Sequence, residues 1–147
     1  MKLPTLYLAG PIANCSDAEC NDWREKVIQE WENHGMQHQE QIINPMTRDY
    51  RGQDMTHLNK VVVELDKREI RKADVLFVYF TKISVGTSME ILYAWEQGKV
   101  IVLIDARPQR ERISEAHQLS PWLLYHATTV WDNIELALDW VRENVSV

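Results

Sequence analysis

Residues 84–90 read SVGTSME, and the carboxylate of Glu90 stands among the apolar side chains of Met89, Ile91, Leu92, Tyr93 and Ala94. A carboxylate in such surroundings costs free energy unless a partner or a chemical task accompanies it. Gly86, Thr87 and Ser88 precede or open a predicted helix, where free N–H groups and the positive end of the dipole favour an anion. Placed in the first turn, Glu90 is held ionised by that dipole, against the desolvation that raises a carboxyl pKa. An ionised, partly dry carboxylate serves as a nucleophile or stabilises a developing cation. The local sequence also leaves open a plainer role, in which Glu90 pairs only with its own helix N-terminus.

Two other segments carry unusual residues. In VVVELDKREIRKAD, positions 62, 66, 69, 70 and 73 share one helical face, so Asp66 lies at the edge of the buried stripe. Its neighbours Lys67, Arg68, Arg71 and Lys72 equally allow a solvated charge network. In LAGPIANCSD, Gly10 lets backbone approach a ligand closely, and Pro11 withholds an N–H and stiffens the turn. A purely structural strand–Gly–Pro turn fits those residues as well.

These residues need elements to position them. Apolar runs of strand length at 5–10, 41–45, 74–80, 99–104 and 128–131 alternate with segments of helical period at 17–34, 56–72, 87–97 and 132–145, and a shorter one at 118–126. That alternation marks an α/β fold with a five-stranded, mainly parallel sheet. Asp17 and Asp132 are the expected N-caps, and Gly35 and Gly98 suit left-handed C-terminal positions. The stretches 46–55 and 105–117 are expected to be irregular loops over a site or an interface. Ligands of open parallel sheets lie beyond the carboxyl ends of the strands, where the Gly10 and Gly86 segments fall.

The 147 residues fit one domain, 1–147, with a real core. A formal charge of −6 argues against a nucleic-acid polymer or an anionic membrane as partner, so any phosphate bound should be small. Cys15 and Cys20 have no CxxC spacing and no matching His cluster, so neither a zinc site nor a disulfide framework is expected. No signal-peptide pattern or membrane-spanning run is apparent, and the expectation is a cytoplasmic protein. Trp23, Trp31, Trp131 and Trp140 are expected in core or subunit contacts. Trp95 and Trp122 flank the site region, where packing is the simpler role and base stacking the alternative. The run ARPQRER at 106–112 is expected to be a solvated loop.

Taken together, YLAGP at 7–11, Asp66, Ala73–Asp74 and SVGTSME with YAWEQGKVIVLI at 93–104 resemble the nucleoside 2-deoxyribosyltransferase family, from residue 5 to about 131. The resemblance implies a Rossmann-like, flavodoxin-like three-layer sandwich in which Glu90 attacks the anomeric carbon of a nucleoside. It implies that Asp66 protonates the departing base, that Tyr7 orients Glu90, and that no metal or organic cofactor takes part. Gly10, Pro11, Ile12, Asn14, Ser84, Gly86 and Ser88 then line the substrate.

Within the resemblance, transferases commonly carry an acidic residue six positions before the nucleophile, whereas nucleoside 5′-monophosphate N-glycosidases carry Ser. This chain has Ser84 there, and a hydroxyl can donate to a phosphate that a carboxylate would repel. The 24-residue spacing from Asp66 to Glu90 is similar to the hydrolase branch. LSPWLLYHAT resembles the segment through which a neighbouring subunit supplies Ser120 to the phosphate, implying a homodimer or higher homo-oligomer with a shared site. Arg48 and Arg51 are candidates to close over the ligand. Leu92 replaces the family's usual Gly, and Ile12–Ala13–Asn14 stands where an Arg would stack on the base; Asn14 could instead bond a pyrimidine edge. The expected function is an N-glycosidase of nucleoside 5′-monophosphates. The alternatives are a 2′-deoxyribosyltransferase and a non-catalytic nucleotide sensor.

Overall fold

The computed structural model describes residues 2–33, 41–112 and 118–147. Five apolar runs form one sheet: β1 (Leu6–Ala9), β2 (Ile42–Ile43), β3 (Val75–Phe80), β4 (Val100–Asp105) and β5 (Thr129–Trp131). The strands lie in the order β2-β1-β3-β4-β5, and every adjacent pair is parallel. Leu6 is in register with Ile42 on one side and Val75 on the other. This is a doubly wound sheet whose strand order reverses between β1 and β3, where such folds open a ligand crevice.

Helices cover both faces, because successive strand side chains point to opposite sides. Leu6, Leu8, Val75, Phe77, Val102 and Ile104 pack under α1 (Asp17–Asn33) and α6 (Ile134–Asn144), meeting Trp23, Val27, Trp31, Ala137, Leu138 and Val141. Tyr7, Ala9, Leu76, Val78, Ile101 and Leu103 face α2 (Met55–Lys72), α3 (Val85–Glu96) and α5 (Pro121–His126), meeting Ile70, Ala73, Ile91, Ala94 and Leu123. The odd position of Tyr7 in β1 therefore sets it on the same layer as Asp66 of α2 and Glu90 of α3.

Several local expectations are corrected. The cap of α1 is Ser16, whose Oγ accepts from Glu19 N at 3.2 Å while Glu19 Oε1 accepts from Ser16 N at 3.1 Å. This reciprocal pair leaves Asp17 as the first helical residue. Asn133 rather than Asp132 caps α6, accepting from Leu136 N at 2.9 Å. Gly98 does adopt φ 71, while Gly35 lies outside the described residues. The expected loop at 105–117 contains a short helix, α4 (Gln109–Arg112), and the 46–55 stretch begins inside a 3-10 turn at Pro45–Arg48. Trp131 and Trp140 pack against the α1–α6 core, as expected. Among the described residues no helix is long and apolar enough to cross a membrane.

Candidate active site

A cavity of about 520 Å³ opens beyond the carboxyl ends of β1, β2 and β3. Tyr7, Gly10, Ile12 and Asn14 enter it from β1 and its following turn, Arg48 and Arg51 from the segment after β2, Asp66 from α2, and Ser84, Gly86 and Glu90 from the β3–α3 junction. Such a volume accommodates a nucleotide-sized ligand.

Local sequence explains each placement. Asp54 caps α2 by accepting from Thr56 N at 2.9 Å, which sets the helix phase. One face of α2 then divides: Val62 and Asp66 line the cavity, while Ile70 and Ala73, each 1 % exposed, enter the core. Ser84 caps α3, its Oγ accepting from Thr87 N at 3.3 Å, and the helix begins at Val85. Glu90 is consequently in the second turn, not the first, and gains less from the helix dipole than the sequence suggests.

Burial therefore dominates. Desolvation raises the Glu90 carboxyl to about 7; the Tyr7 hydroxyl, Arg24 and Arg48 pull it down, and Asp66 pushes it up. Asp66 is raised as well, chiefly by burial, with Arg48 opposing. Arg48 donates from Nη1 and Nη2 to Asp66 Oδ1 at 3.2 and 3.3 Å and also pairs with Glu69. Tyr7 is fully buried, and among the described residues its hydroxyl has no hydrogen bond of ordinary geometry, yet it lies within electrostatic reach of both carboxylates. Burial, then Glu90 and Asp66, push the phenol far up, so it stays a neutral donor. One site thus holds two acids and a hydroxyl able to serve whichever acid is charged.

The remaining expected site residues divide. Gly10 is required by packing: an added Cβ would lie 2.7 Å from Trp23 Cζ2 and 3.1 Å from the Tyr79 carbonyl oxygen. At Gly86 the same atom would meet open space, so the missing side chain there leaves room rather than relieves a clash. Asn14 lines the cavity at φ 60, a left-handed conformation that Asn tolerates better than most residues. Pro11 is buried outside the lining, and Ser88 turns away, donating to Ser84 O at 2.8 Å. Ser120 is also outside, capping α5 by accepting from Trp122 N at 3.2 Å. Arg51 lines the cavity but is tied to Asp17 Oδ1 at 2.6 Å, Asp49 Oδ2 at 2.8 Å and Cys15 O at 3.0 Å.

Trp95 and Trp122 do not line the cavity; with Tyr125 and His126 they form an aromatic cluster on α3 and α5. In the ARPQRER run, Arg107 is not simply solvated, since its Nε donates to Asp105 Oδ1 at 2.9 Å. Among the described residues no group of three His, Cys, Asp or Glu side chains could hold a metal ion. Sequence reasoning missed Arg24, whose signal was an arginine within the apolar stripe Cys20, Trp23, Val27 and Trp31. Thr87, read in the sequence only as part of the helix start, lines the cavity, and among the described residues its buried Oγ1 has no hydrogen-bond partner.

Comparison with known proteins bears on the family and the fold. Residues 3–107 match the family model described as nucleoside 2-deoxyribosyltransferase like. A conserved protein from Enterococcus faecalis has a similar structure, with a TM-score of 0.71 at 18 % identity over 98 % of this chain and 100 % of its own. At that identity the likeness concerns the fold alone. No curated protein matches the chain. The family match spans well over half of the sequence and contains Tyr7, Asp66 and Glu90, and the chain belongs to the nucleoside 2-deoxyribosyltransferase-like family of nucleoside-processing enzymes.

Proposed function

We propose that the protein is an N-glycosidase that cleaves the base–sugar bond of a nucleoside 5′-monophosphate. The observation that carries this reading is the convergence of Glu90, Asp66 and Tyr7, from α3, α2 and β1, on one cavity. A Glu90 carboxylate oxygen attacks C1′, and the C1′–N electron pair leaves with the base, which takes a proton from Asp66. Water then attacks C1′ of the glycosyl ester, gives its proton to Asp66 and returns Glu90 as carboxylate. The two displacements follow the logic of retaining glycosidases.

Preference for a phosphate rests on the start of α3. The Ser84 hydroxyl accepts from Thr87 N yet keeps its own proton to donate, and Gly86 leaves open space beside it. No acidic side chain stands at position 84 to repel a dianion. Ser120 reaches the phosphate, in this proposal, from a second copy. The apolar surface on α3 and α5, including Val85, Met89, Trp122 and Tyr125, each at least 66 % exposed, supports an association of that kind.

A 2′-deoxyribosyltransferase is the second reading, favoured by the family description. Chromatography of a panel of nucleosides and their 5′-monophosphates, with and without an acceptor base, separates the two. Free base from monophosphates alone, lost in Glu90→Gln, is the expected result. Exchange confined to free nucleosides plus acceptor would move the assignment to the transferase, and silence throughout would leave a binding protein.

A further inference from the structure

Arg24 is fully buried on α1, the helical layer opposite to the one that carries Glu90 and Asp66. Among the described residues its hydrogen bonds reach only backbone carbonyls: Nη1 to Cys20 O at 2.6 Å, Nε and Nη2 to Leu8 O at 3.4 and 3.3 Å, and Nη2 to Gly10 O at 3.2 Å. Its guanidinium carbon also lies 4.5 Å from the Trp23 ring centroid, and the same indole presses on Gly10. A buried arginine without a paired carboxylate is costly, and carbonyl dipoles offset only part of that cost.

We propose that Arg24 is a positioning residue for Glu90: from the far side of the sheet its bonds to Leu8 O and Gly10 O hold the end of β1 and the Gly10 turn against the cavity that Glu90 enters. Burial works against the Arg24 charge, and Cys20, Glu90, Tyr7 and Cys15 support it electrostatically. Burial pushes the Cys20 thiol and the Tyr7 phenol up, leaving Glu90 as the carboxylate among them. Around Glu90 itself stand Tyr7 from β1, Asp66 from α2, Arg24 from α1 and Arg48 from the turn after β2. Arg48 is already committed to Asp66 and Glu69, whereas Arg24 pairs with no acid among the described residues. The two sheet layers are thereby coupled through the β1 terminus.

The inference rests on Glu90 acting as a carboxylate, as proposed above, but its test does not require turnover. The Glu90 titration is followed by NMR with isotope-labelled glutamate carboxyls, the signal being identified by its loss in Glu90→Gln. Arg24→Gln and Arg24→Met should raise the Glu90 midpoint by at least about one pH unit, whereas Arg24→Lys should hold it within about half a unit. In the unsubstituted protein, the Arg24 Nε–H signal should move with the same midpoint as Glu90 and stop moving in Glu90→Gln. An unchanged Glu90 midpoint in a folded neutral variant overturns the proposal. Should neither neutral variant fold, an Arg24 signal that stays flat through the Glu90 titration overturns it alone. Coupling without any base release would sink the proposed reaction and leave this inference standing.

Discussion

Arg48 grips a single oxygen of Asp66, with Nη1 at 3.2 Å and Nη2 at 3.3 Å, while also pairing with Glu69. It is one of two arginines that pull the Glu90 carboxyl down, so one side chain moderates both acids of the site. Replacing it by Met removes that charge while retaining much of the apolar bulk. Both acids should then rise further. The ascending limb of base release against pH should move up by about one unit in Arg48→Met, so that activity falls more at pH 6 than at pH 8. A kcat/KM profile measured for both proteins checks this, and superimposed profiles would contradict the assigned electrostatics.

Glu90 also gives activity and stability separate pH dependences. Its attacking form is the carboxylate while Asp66 must hold the proton it delivers, so base release should follow a bell in pH, with one limb near 7 where the buried Glu90 loses its proton. Its folded-state pKa is raised above the unfolded value of 4.5, so the folded protein binds the extra proton between 4.5 and about 7. Stability therefore falls with rising pH across that window, and the penalty is complete above it. Glu90→Gln should abolish activity yet stabilise the fold at pH 8 by roughly 1 to 3 kcal/mol, with little effect at pH 4. Denaturant titrations at the two pH values measure the difference.

Ser84→Asp isolates phosphate recognition from folding. Aspartate accepts from Thr87 N as well as serine does, so the α3 cap survives. Its charge, however, faces the cavity. Cleavage of monophosphates should fall at least about tenfold, a loss of 1.4 kcal/mol or more in transition-state stabilisation, while the melting temperature holds. Unchanged monophosphate cleavage would remove Ser84 from the phosphate site.

Gly10→Ala tests how the turn after β1 is held. The new methyl would lie 2.7 Å from the Trp23 indole, itself stacked on Tyr79 with ring centroids 5.0 Å apart, so neither ring yields easily. A destabilisation of about 1 to 3 kcal/mol is expected, with base release reduced in the folded fraction because the cavity wall shifts. Thermal melts and single-turnover rates report the two effects separately. Gly86→Ala, set in open space, is the control for stability.

Periodicity by itself determined the sheet and its helical layers, since the chain must hide alternating strand faces beneath amphipathic or apolar helices. The apolar runs therefore announced all five strands, and the stripe on α2 announced that Asp66 borders the core. Ser84, Gly86 and Glu90 were also legible, because each residue type is unusual for its place. Three matters were decided only by the tertiary structure. The phase of α3 depends on Ser84 capping the helix, which moves Glu90 into the second turn and lets burial outweigh the dipole. Asp66 as a partner of Arg48, and Asp17 and Cys15 as partners of Arg51, lie 18 to 36 residues away in sequence, a separation that helical spacing rules cannot bridge. Arg24 acquired its place because β1 ends against α1, and backbone carbonyls, present at every residue, leave no mark in a sequence to show which of them will converge on a buried charge.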